Sequence, residues 1–190
     1  MRVFTSLFAL IFVISFSHSQ AYAQDDPETL LIATADERTD ELDPGGVDLI
    51  QPQEAFVEGF AQAYPEYRIE EVRIDGDGEF WYLIGYGHNI ADRTHMLVAY
   101  KLLTKPAENR LYIYLEQHPE AHICESESDG CVGCMFIKDD LGHIVTCGCK
   151  RLSTGADEDA ECEHRLDAEN KNVRFVYDRL MKAEEVSEYK

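Results

Sequence analysis

The chain has 190 residues, with 17 Lys and Arg against 37 Asp and Glu, for a formal charge of −20. That length suits one domain, or one small domain with an appendage. So acidic a surface repels phosphate backbones and anionic membrane faces, which argues against nucleic-acid binding. It reads first as a solvated surface, and as a functional feature it would attract a partner or small ligand of cationic character.

The N-terminus reads as a secretory signal peptide over residues 1–23. Arg2 precedes the apolar run Val3 to Phe16, and Ala21-Tyr22-Ala23 fits a small-x-small cleavage site. Polar Ser17 to Gln20 end the run too early for a bilayer-spanning helix, so the expectation is an exported protein, periplasmic or extracellular, with no membrane anchor after cleavage. Residues 24–48 follow as an acidic stretch with a Pro-Gly-Gly break and a short apolar patch at Leu30 to Ile32. This composition predicts a mostly flexible leader, because it buries too little surface to offset its ordering entropy, with the apolar patch able to dock on the domain or on a partner.

Residues 49–117 carry the pattern of an α+β domain. Phe56, Phe60 and Ala63 recur at helical spacing after Pro52, and Pro65 ends the run. Four β-prone runs come next: "YRIEEVRI", "EFWYLIGYG", "HMLVAYKLL" and "RLYIYLE". Asp75-Gly76-Asp77-Gly78 marks a hairpin turn between the first two. Met96, Val98, Tyr100 and Leu102 alternate onto one face of the third run, as do Leu111, Ile113 and Leu115 on the fourth. The economical architecture is a short helix packed on an antiparallel four-stranded meander. Trp81, Tyr82, Tyr86, Tyr100, Tyr112 and Tyr114 make that sheet rich in aromatics: core packing in the first instance, a recognition face if one side is open.

Residues 118–190 hold all six cysteines, Cys124, Cys131, Cys134, Cys147, Cys149 and Cys162, and a tail. "CMFIKDDLGHIVTC" predicts a hairpin turning at Asp-Asp-Leu-Gly, and Val173, Val176, Tyr177 and Leu180 repeat at helical spacing. An even cysteine set behind a signal peptide favours a disulfide framework. Cys147 and Cys149 fall on the same side of a strand, so each should reach a different partner. A second reading places zinc or copper on Cys131, Cys134, Cys147 and Cys149, as in a zinc ribbon, with His143 and His164 in reserve. A third makes Cys131-x-x-Cys134 a thiol–disulfide redox site, against which stands the strand-like run that follows it.

Other chemistry has little support. His118-Pro119-Glu120-Ala121-His122 lacks the order of a zinc-protease motif and reads as a polar connector. The "DGDGE" run starting at Asp75 fails as an EF-hand, because Phe80 and Tyr86 occupy the positions that require glycine and glutamate. Without a nucleophile-elbow, dinucleotide or phosphate-loop pattern, the chain reads as an exported, non-enzymatic binding module.

Overall fold

The computed structural model describes residues 29–35, 46–77, 80–105, 109–115, 120–126, 131–150, 161–168 and 170–187. The predicted signal peptide lies outside the described residues.

The chain is α+β, as its periodicities indicate. Strands β1 (Thr29–Ala35) and β2 (Val47–Leu49) precede helix α1 (Gln53–Ala63). Then come β3 (Tyr67–Asp77), β4 (Phe80–Asn89), β5 (His95–Lys101), β6 (Leu103–Lys105), β7 (Arg110–Tyr114) and β8 (Ala121–Ser126). The cysteine hairpin is β9 (Cys134–Lys138) and β10 (Ile144–Cys149), followed by β11 (Cys162–Asp167) and helix α2 (Val173–Ser187). A five-stranded antiparallel sheet runs β11-β8-β5-β4-β3, a four-stranded one runs β2-β1-β7-β6, and the hairpin stands as a pair of its own.

The strand order departs from the expected meander at its fourth strand. The meander is real through β3, β4 and β5, but its fourth neighbour is β8; "RLYIYLE" (β7) pairs with β1 in the other sheet. The chain changes sheets at Leu102, whose N–H reaches back to the Trp81 carbonyl at 2.8 Å before β6 begins. The acidic leader is not wholly flexible: Thr29–Ala35 is an inner strand with Leu30, Ile32 and Ala33 buried, and Val47–Leu49 pairs beside it. Strands β8 and β11 and helix α2 complete the sheet and core begun by the segment before residue 117.

The main core lies on one face of the five-stranded sheet. Phe56 and Phe60 of α1 and Val173, Val176, Tyr177 and Leu180 of α2 pack there with Met96, Val98, Tyr100 and Ile123, and the second sheet adds Ile32, Leu111 and Ile113. One polar chain threads this apolar mass: the Tyr64 and Tyr100 hydroxyls lie 2.9 Å apart, and buried Asn170 donates to Tyr64 at 3.4 Å. Burial pushes the Tyr100 hydroxyl far above its ordinary range, so it stays protonated. The opposite face of the sheet presents Tyr82, Ile84, Leu97, Ala99 and Cys124, and the cysteine hairpin covers it with Cys134, Ile144 and Cys147. Helices, sheet and hairpin are therefore three layers, and the hairpin is the outermost.

Candidate functional site

The hairpin is built to hold its shape. Its turn closes through Asp139, whose N–H donates to the His143 carbonyl at 2.9 Å while Oδ1 accepts from the Leu141 and His143 amides. Gly142 supplies a φ of 90° that the turn needs. At the open end, the Lys150 amide donates to the Gly133 carbonyl at 2.7 Å. Lys138 pairs with Asp75 at 3.2 Å and lies over the Tyr82 ring, which ties the turn end to β3 and β4.

Two disulfides fix the hairpin more firmly. Cys124–Cys147 bolts it to β8, and Cys131–Cys149 joins its two ends. Cys147 and Cys149 share one side of β10 and reach different partners, in keeping with the alternation of the sequence. Of the CxxC cysteines, Cys131 is bonded to Cys149 and Cys134 is a thiol, so the two are not bonded to each other.

Cys134 and Cys162 remain as thiols, with their sulfurs 2.9 Å apart. Cys162 is a hub: its Sγ lies 3.5 Å from that of Cys131, and it belongs to both sulfur groups drawn within 4.8 Å, Cys124–Cys134–Cys162 and Cys131–Cys149–Cys162. Burial, together with the neighbouring Cys162 thiol, pushes the Cys134 thiol well above its ordinary range. The predicted metal quartet of Cys131, Cys134, Cys147 and Cys149 is not among the sulfur groups gathered within 4.8 Å in the described residues. Each of those two groups brings three sulfurs close enough together to hold a metal ion, and Cys162 is common to both.

Histidines pack around the sulfurs. Tyr86 is hydrogen-bonded to His95 Nδ1 at 2.7 Å, and the His95 ring also bonds the Cys131 backbone. The His122 and His164 rings stack with His122 Nδ1 and His164 Nε2 3.1 Å apart, and Phe136 meets both edge-on. Burial first and His164 second push the His122 pKa down to about 4. A histidine depressed when folded stabilises the fold fully above its unfolded pKa of about 6.5, and this contribution is lost as pH falls toward 4. The expected outcome is a melting temperature that drops between pH 6.5 and about 4, with a shallower drop in His122→Asn. Differential scanning fluorimetry of both proteins across that range checks it; parallel curves would assign the drop to the carboxylates instead.

The aromatic set does not assemble into one open face. Tyr82, Tyr100 and Tyr112 are buried, Trp81, Tyr86 and Tyr114 are half-buried, and Tyr82 and Tyr100 point to opposite sides of the sheet. Exposed apolar side chains lie elsewhere: Ile50, Ile90, Leu103, Leu166 and Phe175 are scattered over other parts of the fold, and a second set lies on the hairpin. Val132, Met135, Ile137, Leu141 and Val145 are 43–67 % exposed on the outer layer of the hairpin. Period two in "CMFIK" carries the signal: with Cys134 and Phe136 facing the sheet, Met135 and Ile137 must face away. No family model, curated protein or solved structure matches this chain.

Proposed function

We propose that the protein is an exported, non-enzymatic binding module that presents the outer face of its cysteine hairpin to a partner protein. The observation that carries this reading is the placement of Val132, Met135, Ile137, Leu141 and Val145 in solvent, on a hairpin that two disulfides hold against the sheet. A rigid surface loses little entropy when it binds, and exposed apolar side chains gain from being covered. The partner is a protein with an apolar centre and a cationic rim. Exposed Asp139 and Asp140 flank Leu141, and two copies at −20 each repel one another. Export is supported by the signal-like N-terminus and by disulfides, which persist in oxidising compartments. Among the described residues, no helix is long and apolar enough to cross a membrane.

The test is capture from the envelope and secreted fractions with immobilised wild-type protein and the double variant Met135→Asp/Ile137→Asp. The variant changes two outward side chains, so disulfides and fold should persist, while any specific partner should bind about tenfold weaker or less, the effect of burying charge in place of apolar surface. A partner retained equally by both proteins would move the recognition surface away from the hairpin. Reproducible failure to capture any protein, alongside measurable turnover of a small substrate, would overturn the binding reading itself.

A further inference from the structure

We propose that Cys134 and Cys162 are an oxidation site that closes a third disulfide and makes β9 and β11 one covalent unit. The two Sγ atoms lie 2.9 Å apart, so about 0.9 Å of approach reaches the bonding distance of about 2.05 Å. Cys134 and Cys162 are the first residues of their strands, and β11 is the edge of the five-stranded sheet, hydrogen-bonded there to β8. The bond therefore pins the entry of an edge strand to the hairpin layer above it.

The two thiols differ in access, and this sets the order of events. Cys134 is 3 % exposed on the sheet-facing side of the hairpin, whereas Cys162 is half-buried, so we take Cys162 as the entry thiol. A low-molecular-weight disulfide such as oxidised glutathione serves as oxidant. The Cys162 thiolate attacks one sulfur of it, its S–S bond breaks, and one small thiolate leaves and takes up the proton Cys162 gave up. Cys134 then loses its proton and attacks Cys162 Sγ, expelling the second small thiolate, which is protonated in turn. Two protein thiols are oxidised by two electrons in all, and one small disulfide is reduced to two thiols. Cys131, 3.5 Å from Cys162, is already bonded to Cys149, so a Cys131–Cys162 bond would form only by exchange that expels Cys149 as a thiolate. Cys134, in contrast, is a thiol and nearer.

Full-length protein isolated under oxidising conditions, or incubated with oxidised glutathione, is alkylated under denaturing conditions without reductant and mapped by peptide mass spectrometry. The expected result is no alkylated cysteine and a peptide in which Cys134 is joined to Cys162. Cys134→Ser should instead hold Cys162 as a stable glutathione adduct, because the second thiol is gone. Alkylation of Cys134 and Cys162 after glutathione treatment would overturn the proposal. So would a Cys131–Cys162 bond, or thiols that react only after a chelator removes a retained metal. An unmodified Cys162 in Cys134→Ser would overturn its role as the entry thiol.

Discussion

Replacing Cys124 and Cys147 together by alanine is expected to lower the unfolding free energy by about 3 kcal/mol, the loop-closure contribution for a bond spanning 23 residues. Cys124 lies on β8, one strand in from the sheet edge, and is fully buried. Its bond to β10 keeps the hairpin over Tyr82, Ile84, Leu97 and Ala99. A two-stranded hairpin is marginal on its own, and the apolar anchors this one has are few: Ile144, with Phe136 partly buried. Without the bond, the hairpin should lift before the sheet unfolds. Urea denaturation measures the first effect, and native-state hydrogen exchange measures the second as protection lost in β9 and β10 ahead of β4 and β5. A shift in stability below about 1 kcal/mol would mean that packing holds this layer and the disulfide is incidental.

Local patterns in the sequence were reliable guides to local structure here and poor guides to partners. Helix α1 reads directly from Phe56, Phe60 and Ala63, and α2 from Val173, Val176, Tyr177 and Leu180, because a helix satisfies its own backbone and its buried stripe is written at period 3.6. The same holds for the β9–β10 hairpin, closed by a turn whose residues are adjacent. Strand β7 shows the limit. Its alternation announces a strand, but the choice between β5 and β1 as neighbour depends on a segment about 80 residues upstream. That segment, "TLLIATA", is flanked by acidic residues and averages out to leader-like composition, although Leu30, Ile32 and Ala33 are buried. The aromatics divide for a related reason: Tyr100 faces the helices, Tyr82 faces the hairpin, and Tyr112 and Tyr114 belong to the other sheet. The exposure of Met135 and Ile137 follows from knowing which side of β9 the cysteines occupy.

Phe60→Ala is expected to cost about 3–5 kcal/mol, and the reason lies in the glycine beneath the ring. Phe60 is fully buried on α1, its ring centroid 5.4 Å from that of Tyr100. It reaches this depth because Gly85 of β4 has no side chain: a Cβ there would overlap Phe60 Cδ1, Cε1 and Cγ. Gly85→Ala alone should therefore overpack the helix–sheet interface and cost about 1–3 kcal/mol. Neither the helix nor the strand has slack to absorb the methyl. Gly59, the residue before Phe60 on α1, is already close enough that a Cβ would stand 2.9 Å from the Val176 backbone of α2. In the double variant Phe60→Ala/Gly85→Ala, the new methyl enters the space the ring vacated. The two costs should then fall short of their sum by about 1 kcal/mol or more, the size of coupling seen between residues in direct contact. Urea midpoints and slopes for the wild type, both single variants and the double variant complete the cycle. Strict additivity would show that the ring and the glycine do not share one space, and the close approach of α1 to the sheet would need another cause.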